Sequence, residues 1–430
     1  MKNPVKLVLI GIIALIAAGL AFWQFSGASL TGIARQVILQ TAGKSINGTL
    51  TLGAVDFSLA GELTAQQVAV HDKGGALVAA ARKLTLKLDL GDILSRSLDL
   101  GRIRTVRLEG LTLQLNRDQQ ERWNVSETLR RPAAEPTAPT AGFRGRVEVA
   151  DAAVAIATPD SRYEFRQVNG SLDFAKYPDL AIDLKSKQGA ADLSAKGVWN
   201  FSGGGKIDAS VAGADPAAFT ADSPLKGAVT SQFRLEGTTA KPTAHGSFTI
   251  PAGTLGDTAF RDAAGEFSWA DGTLTLAKTR LNALGGSIAA SGPIALDTRR
   301  FSQTISGQNI DSSQLSDKDI QGRLNFNAQA SGQGSWDRAN ADGTFSMGAG
   351  SISGIAFDAL TGNFSKRGPA MRYYNLRATI AGQVIAIDDA DSLNSIKALF
   401  RLPLVPGQPE LPKAPAVPAL PKLPTLPRLF

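Results

Sequence analysis

Apolar and polar residues alternate with a period of two over most of this chain. Same-face pairs and triplets occur at Leu50 and Leu52, at Leu84, Leu86, Leu88 and Leu90, at Val106 and Leu108, and at Leu111, Leu113 and Leu115. Successive side chains of a strand point to opposite faces, so this spacing predicts strands that are apolar on one side and wet on the other. After a proline-rich break, Ala133 to Thr140, the alternation resumes at Val147 and Val149, Val154 and Ile156, Leu172 and Phe174, and Leu180, Ile182 and Leu184. It continues at Phe233 and Leu235, Phe248 and Ile250, Phe267 and Trp269, Leu274 and Leu276, Leu324 and Phe326, and Phe345 and Met347. The fold class expected from this is mostly β, with some 20 to 25 strands at the usual spacing of about 4.8 Å.

Three stretches depart from the alternation. Leu7 to Trp23 is an uncharged, proline-free apolar run behind Lys2 and Lys6, with Leu7, Ile10, Ile13, Leu15, Leu20 and Trp23 as its membrane-facing residues. It reads as a single transmembrane helix with a cytoplasmic N-terminus. The small residues Ser26-Gly27-Ala28 also fit a cleaved signal peptide, and either reading exports the rest of the chain. Ser29 to Lys44 and Asp391 to Phe400 each carry a helical apolar stripe and read as short amphipathic helices. From Pro403 on, a proline-leucine-lysine tract reads as extended polyproline II.

A weak internal repeat underlies the strands. Gly246-Ser-Phe248, Gly253, Phe260, Gly265-Glu-Phe267 and Gly285 recur 97 residues on as Gly343-Thr-Phe345, Gly350, Phe357, Gly362-Asn-Phe364 and Gly382. An upstream copy, offset by 95 residues, spans Phe165 to Gly170 and Gly189. The organisation expected is an anchor (1–28), a helix-plus-β module (29–131), a linker (132–142), a tandem β-repeat region (143–390), a short helix (391–401) and a proline-rich tail (402–430).

Composition narrows the chemistry. The 430 residues are 43% hydrophobic but only 7% aromatic, with 44 glycines and no cysteine, which suits short strands with tight turns and excludes disulfides and thiolate chemistry. The two histidines, His71 and His245, lie far apart and read as surface or capping residues. Gly203-Gly-Gly205 and Gly332-Gln-Gly334 lack the lysine and helix of a phosphate loop and read as hairpin turns. Asp388, Asp389 and Asp391 read as a helix-entry cluster. With no nucleophile elbow, cofactor fingerprint or metal-ligand motif, no enzyme activity, cofactor or metal is expected. The net charge of +7 is concentrated, with eleven basic against seven acidic residues from Arg82 to Arg131 and four against one from Arg401 on. Without stacking aromatics this does not describe a nucleic-acid binder; it fits a solvated face or anionic lipid head groups.

The first third of the chain resembles the AsmA-like family of envelope proteins, whose larger members are the TamB-type proteins. The resemblance is carried by the N-terminal anchor, Gly48-Thr-Leu-Thr-Leu52, Leu84 to Leu90, Gly91-Asp-Ile-Leu94, Ile103 to Gly110, Leu111 to Asp118, and Arg122-Trp-Asn124. It implies an elongated, curled β-sheet whose apolar face lines a groove, held in the inner membrane of a two-membraned bacterium with its body in the periplasm. It further implies phospholipid transfer to the outer membrane, with an outer-membrane or periplasmic protein as a partner. The groove residues would be Leu172, Phe174, Leu180, Ile182, Phe248, Ile250, Phe267, Trp269, Leu274, Leu276, Leu324, Phe326, Phe345 and Met347. Alternation alone fits equally a set of closed β-sandwiches serving as a non-transporting scaffold or assembly factor.

Overall fold

The computed structural model describes residues 47–58, 61–87, 103–128, 143–159, 161–200, 202–216, 223–315, 320–334 and 338–390. The anchor at 7–23, the helices expected at 29–44 and 391–400, the linker at 132–142 and the tail from 402 lie outside them. Among the described residues no helix is long and apolar enough to cross a membrane. They form twenty-four strands and almost no helix. The chain divides into two compact units, one running to Ala214 and including Gln232–Pro242, the other comprising Asp215–Ser231 and Thr243 onward.

The first unit opens with β1 (Thr49–Thr51), β2 (Val55–Ser58), β3 (Glu62–His71) and β4 (Leu77–Lys87), with β1 and β2 both paired to β3. Next come β5 (Thr105–Glu109) and β6 (Thr112–Asn116), end to end along β4 and separated by Gly110, whose φ of +60° turns the chain. A connection carrying the short helix α1 (Asn124–Thr128) leads to β7 (Arg146–Thr158), which pairs in parallel with both β5 and β6. β8 (Ser161–Asp173), β9 (Asp179–Gln188), β10 (Ala191–Asn200) and β11 (Gly204–Ala214) follow as antiparallel neighbours. Gly203 lies in the β10–β11 hairpin, where the Asn200 side chain accepts from the Ser202 and Gly203 amides, each at 2.8 Å.

One continuous apolar core runs through this unit from Leu50 to Trp199 and joins residues up to Val125 to those from Phe143 on. Val106, Leu108 and Leu115 have no exposed surface. Each such side chain is worth about 1.5–3 kcal/mol of burial. Asn124 fastens α1 to this core: its amide donates to the Gln114 carbonyl at 2.8 Å, and its Oδ1 accepts from the Asn116 and Val125 amides at 3.0 and 2.8 Å. Trp123 and Val125 on either side are buried. The Trp-Asn pair singled out by sequence thus serves as a structural clasp.

Beyond β12 (Leu225–Gly227) and β13 (Val229–Gly237), the second unit is an antiparallel run. It comprises β14 (Pro242–Leu255), β15 (Thr258–Ala270), β16 (Thr273–Ala283), β17 (Gly286–Ala295), β18 (Arg300–Asp311), β19 (Ile320–Gln333) and β20 (Asn340–Ile352). It closes with β21 (Ile355–Phe357), β22 (Ala359–Arg367), β23 (Ala370–Ile380) and β24 (Gln383–Ala390). The 97-residue repeat has a structural meaning here. Gly246 pairs with Phe267 and Phe248 with Gly265, so the two Gly-x-Phe motifs lie antiparallel with each ring opposite the other's glycine. Gly343 with Phe364 and Phe345 with Gly362 repeat the arrangement, and Gly253–Phe260 and Gly350–Phe357 add a further matched pair. The rings lie close enough that a Cβ on Gly265 would stand 2.9 Å from the Phe248 ring, and one on Gly343 2.6 Å from that of Phe364. In the upstream copy Phe165 faces Val154 and Gly170 faces Leu184, so the reciprocal pairing is confined to the second unit.

Candidate functional site

Antiparallel partners share a face, so the ladder registers show which predicted residues come together. On β14 and β15, Phe248, Ile250, Phe267 and Trp269 are on one face, and Phe267 and Trp269 pair with Leu276 and Leu274 of β16. Leu274 faces Ile294 of β17, which faces Phe301 of β18, itself opposite Gly332 of β19. On β19 and β20, Leu324 faces Met347 and Phe326 faces Phe345. All ten predicted residues of the second unit therefore share one face of successive strands.

That face is only partly covered. Ile250 and Met347 are buried, whereas Phe248, Phe267, Trp269, Leu274, Leu276, Leu324, Phe326 and Phe345 are half-buried. The intervening positions, such as Glu266, Ser268, Arg323, Asn325 and Asn327, are exposed. Small clusters form around Ile250 and Phe260, around Phe301 and Ala341, and around Met347 and Leu376. Trp269, Leu274 and Leu276 fall outside all three, although they are large and apolar. The four predicted residues of the first unit have a different environment. Leu172, Phe174, Leu180 and Ile182 are all buried in the continuous core, and the Phe174 ring meets Phe143 edge-on at 5.5 Å.

Several residues of the face were missed by sequence reasoning, among them Ile288, Ile294, Phe301, Ile305, Leu360, Phe364, Tyr373 and Leu376. For Ile288, Ile294, Phe301, Ile305, Leu360 and Phe364 the inward series is unbroken but diluted by Ala290, Gly292, Gln303 and Gly362, which carry no large apolar side chain. Elsewhere β-bulges shift the alternation by one. The inward positions step by three at Phe260 to Ala263, Leu276 to Thr279, Gly307 to Ile310 and Tyr373 to Leu376. Each step spans a residue with left-handed backbone, Asp262, Lys278, Asn309 or Asn375, at φ near +50°. A bulge places two residues opposite one and so moves the following side chains to the other phase. The readable signal was the glycine that faces each ring.

The electrostatics separate the two faces. Outward positions carry cross-strand ion pairs: Asp208 with Arg234 at 2.6 Å, Glu266 with Lys278 at 2.9 Å and Asp342 with Arg367 at 3.0 Å. The hydrogen bond from Arg234 holds the Asp208 carboxyl below the usual carboxylate range, and Arg367 does the same for Asp342. Inward, Tyr373 packs edge-on against Phe345 with ring centroids 6.0 Å apart, and burial pushes its phenol up. Within the strands of the second unit the buried polar residues are Thr279, Gln303 and Lys366. The Lys366 ammonium donates to the carbonyls of Ala339 and Gly368. No group of three metal-ligating side chains occurs among the described residues.

What the arrangement can do is hold hydrocarbon. A sheet face lined by partly buried rings and leucines offers apolar contact to a guest, and its reverse side stays wet. No protein-family model, curated protein or solved structure matches the chain.

Proposed function

We propose that this is an inner-membrane-anchored periplasmic protein whose apolar β-face carries phospholipid between the inner and outer membranes of a two-membraned bacterium, supporting the outer membrane. The observation behind this reading is the one-sided face of the second unit, where eight large apolar side chains are only partly buried on strands whose other side is polar. Acyl chains laid against such a face gain about 0.8 kcal/mol per methylene removed from water. Head groups stay hydrated beyond the edge of the apolar surface, and no catalytic residue is needed. Lys2, Lys6 and the apolar run from Leu7 to Trp23 supply the anchor in this reading, and the resemblance to the AsmA-like family supports both the curled, repeat-built groove and the location. The ligand is phospholipid, with an outer-membrane or periplasmic protein as the distal partner.

A second reading, a non-transporting scaffold or assembly factor for outer-membrane proteins, is favoured by one observation: in the first unit the apolar side chains, Leu172, Phe174, Leu180 and Ile182 among them, pack into one continuous buried core. The two readings part at Phe248 and Phe267. Under lipid transfer, Phe248→Asp and Phe267→Asp leave a cooperatively folded protein that has lost its co-purifying lipid. Under the scaffold reading the same changes unfold the second unit. Mass spectrometry of organic extracts of the purified chain, beside thermal melts of both variants, decides; a wild-type protein that is consistently free of lipid ends the transport reading.

A further inference from the structure

Two of the three polar side chains buried within the second unit's strands have an atom with no hydrogen-bond partner. Gln303 is 2% exposed; its amide nitrogen donates to the Pro293 carbonyl at 3.1 Å, and its Oε1 receives nothing. Thr279 is 8% exposed, and its hydroxyl oxygen is likewise without a partner. Buried polar atoms in native proteins are almost always satisfied, and an exception calls for a ligand, a water or a functional reason.

Their placement supplies the reason. Both point to the apolar face, Thr279 in line with Ala290 and Ile305 through the ladder, Gln303 beside Gly292. The strand between them, β17, presents Ala290 and Gly292 inward, and both positions are only partly buried. Two acceptors, two strands or roughly 10 Å apart, thus flank a stretch of the face that carries no side chain larger than a methyl group. The Phe248 ring and the Thr279 hydroxyl both lie over Gly265, whose Cβ would stand 2.9 Å from the ring and 2.7 Å from the hydroxyl.

We propose that Thr279 and Gln303 form a hydrogen-bonding station on the apolar face for a lipid that carries a hydroxyl or amide N–H donor beside its hydrocarbon chains. This rests on the lipid-carrying reading and adds a selectivity to it. Gln303 Oε1 accepts only, so it discriminates for a donor; a fully esterified or etherified headpiece leaves it unpaired. Thr279 turns its hydroxyl to either role.

The test uses the delipidated full-length chain, offered an equimolar mixture of hexadecan-1-ol and its methyl ether from cyclodextrin, with the retained ratio read by mass spectrometry. The two probes differ by one donor. Wild type retains the alcohol about tenfold over the ether, equivalent to about 1.4 kcal/mol. Thr279→Val and Gln303→Leu each lower the ratio and together bring it near one, with total probe retained and the melting temperature not reduced. Equal retention of both probes by wild type overturns the station and leaves the lipid reading standing. Failure to retain either probe ends the lipid reading itself. A Gln303→Leu protein that melts lower yet keeps the preference shows the amide to be structural and overturns the proposal.

Discussion

A glycine inside a strand weakens it, because it has no side chain to pack and loses more freedom on folding. Here the neighbouring ring offsets that loss by lying over the bare backbone, and the pair acts as one unit. Gly265→Val places branched carbons where the Phe248 ring and the Thr279 hydroxyl sit. It should lower stability by about 1–3 kcal/mol, with Phe248→Leu in the same chain recovering part of the loss in a denaturant titration. Charge acts at this scale too. Asp208 and Asp342 are held below the ordinary carboxylate range by their arginines. Their contribution is complete above about pH 4, where unfolded carboxylates are ionised, and is lost as pH falls through the lower folded values. Asp208→Asn should therefore flatten the acid limb of the stability curve at low salt, and 1 M salt should mask the difference. Tyr373 has the opposite sign: its raised folded value gives stability that is complete below about pH 10 and lost as pH rises through it, so Tyr373→Phe should abolish an alkaline limb. Individual inward residues were legible in sequence where successive inward positions were large and apolar, as at Phe267 and Trp269, and not where alanine, glycine or glutamine intervened, as between Ile288 and Ile294 or Phe301 and Ile305. They ceased to be legible past Lys278, Asn309 and Asn375, because a lysine or asparagine in left-handed backbone looks in sequence like any other polar strand residue.

Strands themselves were readable from period-two spacing, since their length and polarity were set locally. Pairing was not. Nothing in Thr105 to Asn116 announces that β5 and β6 are collinear, or that both accept a parallel neighbour from beyond the connection. Parallel ladders join distant segments and leave no mark in either one alone. The two units also answer the same substitution differently. Leu115→Ala, at a position with no exposed surface, should cost about 2–5 kcal/mol. Leu274→Ala, on the half-open face, should cost less than about 1.5 kcal/mol, because the lost methyl groups were already partly in water. Parallel urea titrations of the two variants make the comparison. Amide hydrogen exchange gives a second check: β4 to β7 should be protected well beyond β16 and β17, since protection follows buried apolar contact.

At the scale of the molecule, sequence conveyed a β-rich chain with a repeat. It could not convey that the repeat is made of reciprocal ring-over-glycine pairs, because that depends on which strands become neighbours. Nor could alternation separate a sealed core from an open face, since both require one apolar side. The Leu172 to Ile182 group and the Phe248 to Trp269 group look alike in sequence, yet all four residues of the first are enclosed while Phe248, Phe267 and Trp269 of the second are only partly buried. The parallel seam between β5–β6 and β7 carries one more consequence. As synthesis proceeds, β1 to β6 can pair with one another, yet the outer rim of β5 and β6 stays bare until the polypeptide has grown through Thr158. A ribosome halted near residue 131 would therefore hold a nascent chain with a row of unsatisfied amides and carbonyls on offer to any neighbouring strand, and fragments released there should aggregate.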